Sequence, residues 1–292
     1  MQQTKLEQYM NEVPSDDSTY DAAVWEKVAA LGDLYILSVG CMYGAARGYI
    51  SAWGSTRAPT TLLPGNLEMF AGRVQPELLS YVRDVAAYGV RPMATSPPVR
   101  SAQLPYSGVR DNTDRTANDM WEDLVKGRVM LFTKVCEHRV GPLMESRLAF
   151  ATQKDVTKEA GVKVRYISDP RVEINERIEP KHHPRVRAPK HGNVARRILY
   201  WERRYPTIPA LLCKRDVKGA FKLRPVSIVG LAHMGLQFAN YMILYPSLYF
   251  GWKPSPASWG IISSLLLQFV ASFSPKPTKG ATRHGPRGIP RV

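Results

Sequence analysis

After Asp216 the chain contains no aspartate or glutamate, all the way to Val292. Cysteine is almost as scarce: Cys41, Cys136 and Cys213 are the only three. They are too few and too far apart for a disulfide framework or a structural zinc site, which points to a reducing setting. Neither Cys136-Glu137-His138 nor His182-His183 has a partner pair at metal-ligand spacing. No apolar run opens the chain. Its start, Met1-Gln2-Gln3-Thr4-Lys5, predicts no signal peptide and an intracellular place, cytoplasm or nucleus. No internal repeat is visible. Charge of either sign is absent from residues 226–252 and again from 254–275.

The charge that is present is uneven. Of 292 residues 44% are hydrophobic, enough for a sizeable core, and the net charge is +15. Residues 1–150 carry 15 basic and 17 acidic side chains, residues 151–216 carry 16 and 8, and residues 217–292 carry 9 and 0. A near-neutral front and a basic back suggest an anionic partner for the back, with nucleic acid first and an anionic membrane surface second.

Apolar periodicity predicts an α+β chain in three parts. Residues 1–117 read as a helical N-terminal region with a Pro-rich linker. A helix over 20–53 carries Ala22, Trp25, Val28, Ala29 and Leu31 at helical spacing, with caps offered around 16–19, and its uncharged run 34–46 reads as buried. Residues 54–117 read as a linker holding one short helix over 75–87. A further helix is expected over 118–139, with Trp121, Leu124, Val125, Phe132 and Val135 on one stripe and Gly141-Pro142 as its stop. Then the period changes to two. Strands are expected over 147–153 and 162–167 around a polar turn at 154–161, so that Lys163 and Arg165 alternate with Val162, Val164 and Tyr166. A basic helix over 193–205, capped by Asn193, and a short strand over 210–213 follow. Residues 276–292, rich in Pro, Gly, Lys and Arg, read as a disordered basic tail. Met42, Met69 and Met130 read as core residues.

Three short motifs carry chemistry. The first is Asp216-Val217-Lys218-Gly219-Ala220-Phe221, a strand-end carboxylate with an aromatic five residues on. Nucleotidyl transfer uses carboxylates that clamp two metal ions about 3.5–4 Å apart. The second is Lys163-Val164-Arg165-Tyr166-Ile167-Ser168-Asp169-Pro170-Arg171, followed by Asn175. A guanidinium such as that of Arg165 donates two parallel bonds to phosphate. The third is Phe250-Gly251-Trp252-Lys253-Pro254-Ser255-Pro256, where Gly permits close backbone approach and Pro favours a helix start.

In this order and spacing the three motifs resemble the fingers and front palm of reverse transcriptases. The resemblance covers residues 118–275 and leaves residues 1–117 unassigned. It implies template-directed DNA synthesis with Mg²⁺ or Mn²⁺, an RNA or DNA template–primer and dNTPs as partners. It assigns metal binding and catalysis to Asp216, sugar selection to Phe221, and triphosphate contact to Lys163, Arg165 and Lys154. Gly251 and Ser255 fall near the nascent base pair, while Asp169, Arg171, Trp252 and Pro256 fall at template or structural positions. One residue is inserted before Asn175 relative to the family, and Pro254 stands where Gly or Ala is frequent.

The family also needs a hairpin carrying two adjacent aspartates, some 30 or more residues past Phe250. No acidic residue stands there. The chain therefore reads as a truncated or frame-shifted retroelement copy, inactive alone, with apolar strand edges that invite aggregation. Two other readings remain: a non-catalytic nucleic-acid-binding fragment, and a membrane protein spanning at 225–252 and 254–275. His233, Gln237, Asn240 and Gln268 weigh against the membrane.

Overall fold

The computed structural model describes residues 1–14, 18–56, 64–134, 136, 141–155, 161–185, 190–211, 217 and 219–273, with backbone alone at 50, 53–56, 64, 151–155 and 161–165. Helices α1 (Gln2–Glu12), α2 (Ala22–Val39), α3 (Met42–Thr56), α4 (Pro76–Tyr88), α5 (Ser107–Arg110) and α6 (Thr113–Val125) precede the first strand. Then come β1 (Met130–Thr133), β2 (Glu145–Asp155), β3 (Gly161–Asp169), α7 (His191–Arg204), β4 (Gly235–Phe238), β5 (Tyr241–Leu244) and α8 (Pro254–Ser272). The strands form one mixed sheet in the order β1-β5-β4-β2-β3, so the α+β class holds.

Sheet pairing is antiparallel except between β2 and β4, where only Glu145 and Ser146 pair, with Gly235 and Leu236. From Arg147 onward β2 pairs with β3 alone, as a two-stranded ribbon that extends past the sheet. The strands expected over 147–153 and 162–167 are therefore present and longer than the alternation suggested.

The N-terminal helices close the β1 side of the sheet. Tyr9 Oη accepts a bond from the backbone N–H of Leu131 at 2.9 Å, and Asp33 accepts from the Thr133 N–H at 2.9 Å and its hydroxyl at 2.6 Å. These are donors that an edge strand would otherwise leave open. Contact is so close that a Cβ on Gly32 would lie 2.1 Å from the Leu131 carbonyl oxygen. Trp25 and Trp121 stack at 6.3 Å in the same core, which runs from α1 through the sheet to Trp252. A smaller cluster joins Leu67, Phe70, Leu78, Leu79 and Val82 to Ile262 and Leu265 of α8.

Several expectations need correction. The helix expected over 20–53 is two helices bent by 114°, broken at Gly40, which takes a left-handed φ of 80°. Its cap is Asp21, which accepts from the N–H groups of Ala23 and Val24. Leu34 and Leu37 are exposed, so the uncharged run is not wholly buried, and Met69 is exposed as well. The helix expected over 118–139 starts earlier and stops at Val125, because Gly127 turns left-handed (φ 64°) and the run Met130-Leu131-Phe132 pairs with β5 instead. Phe132 is thus a strand residue. The segment read as linker holds a 3₁₀ turn (Pro64–Phe70), the expected helix α4, and α5. Its extended stretch bridges to the body at Val90↔Val226, Ala94↔Ile178 and Ser101↔Met144. Helix α6 crosses position 117/118. Asn193 lies inside α7 and accepts from Arg196 at 2.5 Å, while Lys190 takes the cap position without a side-chain bond. Ala210 and Leu211 are irregular, and positions 212–213, 156–160 and 276–292 lie outside the described residues.

The stretch 225–252 folds as a 3₁₀ turn (Ile228–His233) and the β4–β5 hairpin, not as a spanning helix. Among the described residues no single helix is long and apolar enough to cross a membrane. Helix α2 with Met42–Tyr49 meets that test only as a bent pair, by length and composition.

Candidate functional site

The loop after β5 is held against the segment that follows β3 by two side chains, Asn175 and Lys253. Asn175 donates to the Gly251 carbonyl at 2.8 Å and accepts from the Lys253 N–H at 2.9 Å. Lys253 Nζ returns to the carbonyls of Asn175 and Ile178, each at 2.6 Å. Gly251 has a φ of +97°, and a Cβ there would sit 2.5 Å from the Ser168 carbonyl oxygen and 2.9 Å from Pro170. Both the dihedral and the lack of space demand glycine. Asn175 is thus what joins the second motif to the third.

Trp252 is fully buried, and so is Ser255, whose hydroxyl donates to the Tyr249 carbonyl at 2.9 Å. Ser255 therefore shapes the loop. Helix α8 starts at Pro254, one residue before the Ser255-Pro256 pair expected to open it, and Pro256 is exposed in its first turn. Phe250 is mostly exposed, and its ring meets the half-buried ring of Phe221 edge-on at 4.7 Å. The first motif thus reaches the third through Phe221. Asp216 lies outside the described residues.

Asp169 forms a two-bond fork with Arg171, both at 2.7 Å, and accepts from Tyr106 Oη at 3.0 Å. The Arg171 bonds hold its carboxyl below the usual range despite partial burial, and Tyr106 adds to them. Arg171 itself projects into solvent. In the ribbon, Lys163 is in register with Gln153, Arg165 with Ala151 and Lys154 with Val162.

Beneath these motifs is a buried ionic cluster that the sequence reading missed. Asp123, at the end of α6, is only 2% exposed. Lys222, the neighbour of Phe221, bonds both its oxygens, one at 2.6 Å and the other closer. Tyr166 of β3 donates a short bond, Tyr245 donates at 3.1 Å, and Arg128 reaches it at 3.4 Å. Burial alone would raise the Asp123 pKa, but Lys222, Tyr166 and Arg128 outweigh it and the net shift is downward. The Tyr166 and Tyr245 hydroxyls are pushed well above their usual value by burial and by the Asp123 charge. One carboxylate thereby ties together the ribbon, the turn that holds Phe221 and the exit of β5. The signal for it was Asp123 standing among the buried positions Met120, Trp121 and Leu124 of α6.

No family profile and no curated protein matches the chain. Three solved structures are similar to it, all of a foamy viral protease-reverse transcriptase. One is the dRH form in complex with double-stranded DNA, at TM-score 0.38 and 13% identity, covering 76% of this chain and 37% of that one. A second, with an RNA/DNA hybrid, has TM-score 0.38 and 12% identity over 76% of this chain and 28% of that one. The third, with double-stranded DNA, has TM-score 0.38 and 13% identity over 76% and 44%. This chain thus spans less than half the length of each.

Among the described residues no three His, Cys, Asp or Glu side chains converge as a metal site. Asp123 is occupied by Lys222 and buried, so it is not available to an ion. A buried cation, Arg224, donates to the Ser258 carbonyl at 2.5 Å and its hydroxyl at 2.9 Å, anchoring α8 to the turn after Phe221. Burial lowers the Arg224 pKa to about 10.

Proposed function

We propose that this chain is a reverse-transcriptase-like fingers and front-palm unit of retroelement origin that holds nucleic acid and does not by itself extend a primer. The observation that most supports this is the meeting of three motifs far apart in sequence. Asn175 bonds Gly251 and Lys253, and Phe250 packs on Phe221. In this reading Lys163, Arg165 and Lys154 contact phosphate, Phe221 faces a sugar, and Gly251 lets a base pair approach the backbone. Asp169 and Arg171 sit on the template side. Asp216 is the residue that would hold Mg²⁺ or Mn²⁺, and no step is assigned to that ion. Basic residues that neutralise phosphates release counterions, so log affinity should fall linearly with log salt.

The test is anisotropy of a labelled RNA/DNA hybrid titrated with the full chain at several salt concentrations, beside a primer-extension assay with dNTPs and Mg²⁺ or Mn²⁺. Binding that weakens steeply with salt, and no extension product, is the expected outcome. Absence of binding at low salt would overturn the nucleic-acid reading. Robust extension by the pure protein would overturn the non-catalytic part.

A further inference from the structure

Helix α7 buries none of its 14 residues. An isolated helix of about this length is marginal in water, because most helical stability comes from packing a face. Here the face is present. Val194, Ile198, Trp201 and Tyr205 recur at helical spacing, with Trp201 41% and Tyr205 45% exposed.

The chemistry of that face selects its partner. The Trp201 and Tyr205 rings stack on each other at 5.5 Å and 19°. The Arg197 guanidinium lies over the Trp201 ring at 5.1 Å and the Tyr200 ring at 5.7 Å. Arg203 and Arg204 occupy the last turn, and Glu202 is the helix's single acid. Arg197 and Arg204 line one edge of this face and Arg196 and Arg203 lie beyond it, so the helix sets four guanidinium groups against one carboxylate and is complementary to a polyanion. Flat rings spaced by guanidinium groups suit a polyanion with open base faces: rings stack bases and arginines take phosphates.

We propose that α7 is a docking face for single-stranded nucleic acid, read by stacking on Trp201 and Tyr205 and by phosphate contacts from Arg197 and Arg204. The inference rests on the nucleic-acid reading above and adds a second surface, distinct from the Asn175–Gly251 junction. A duplex hides its base faces, so the rings should matter for a single strand and not for a hybrid.

The experiment uses the full chain, a labelled single strand of about 20 nucleotides and a hybrid of equal length, with the variants Trp201→Ala, Tyr205→Ala and Trp201→Phe. Because α7 buries nothing, these variants should keep the wild-type circular dichroism. Each alanine variant is expected to weaken single-strand binding about tenfold, the loss of one stacked base. Hybrid binding should stay within about twofold, and Trp201→Phe should restore most of the single-strand affinity. Unchanged single-strand affinity in both alanine variants, with hybrid binding intact, would overturn this inference alone. So would variants that lose only binding to phosphatidylserine vesicles, or only a self-association seen by light scattering. If the unaltered chain binds neither nucleic acid, the broader reading fails and this one with it.

Discussion

At the scale of single residues, Asp123 shows how a buried charge is kept. Its cost of burial is met by Lys222, Arg128 and two tyrosine hydroxyls, and removal of one partner from such a set commonly costs about 3–5 kcal/mol. Asp123→Asn leaves Lys222 facing a neutral amide and is expected to lose stability in that range, measured by urea unfolding at pH 7. The sign of the pH dependence follows from the lowered folded-state pKa. The carboxylate contributes its full stability above the unfolded value of about 3.9 and loses it as pH falls through the lower folded value. The gap between wild type and Asp123→Asn should therefore be constant near neutrality and shrink in acid. A gap that widens in acid would contradict the assignment. Gly251 offers a second test. An alanine there meets both a positive φ and the Ser168 carbonyl, and about 1–3 kcal/mol of strain is expected. Thermal melting and the salt-dependent binding assay should both register the displaced loop.

At the scale of elements, the hairpin, the basic helix and the helix after Trp252 were legible because each rests on a local pattern, although that helix opens at Pro254, one residue before the Ser255-Pro256 pair. What failed were patterns that tertiary pairing overrides. The run Met130-Leu131-Phe132 fits a helical stripe as well as a strand, and only its pairing with β5 decides between them. The same limit hid the use of residues 1–56: nothing local says that Tyr9 and Asp33 will satisfy β1 donors more than 90 residues away. The aggregation expected of an open palm edge is blunted on that side. Tyr9→Phe orphans the buried Leu131 N–H, at an expected cost of about 1–3 kcal/mol. Removal of α1 should go further and produce light scattering on mild heating, while an α1-less chain that stays monodisperse would show that β1 needs no cover.

At the scale of the whole molecule, the sequence supplied the motifs and their order, and the fold supplied the junction. Asn175, which one inserted residue shifts relative to the family, bridges two motifs, and Ser255, expected near the nascent base pair, is a buried strut. Asp123 carried no motif at all. Its meaning depends on Lys222 being 99 residues away in sequence and bonded in space, a relation that periodicity does not encode. Charge asymmetry was legible throughout: the basic back half holds both the ribbon and α7, the two surfaces on which the binding assays turn.

Because β2 and β4 pair only at Glu145 and Ser146, and the ribbon packs on the core only as far as Phe150 and Tyr166, the part beyond is a cantilever. Its five paired positions from Ala151 to Asp155 extend about 17 Å at ~3.4 Å per residue. On an arm of that length a rotation of about 10° at the root carries the tip about 3 Å. Tyr166, bonded to Asp123 near the root, has short leverage over the base and, through the arm, large authority over where Lys154 and its neighbours come to rest.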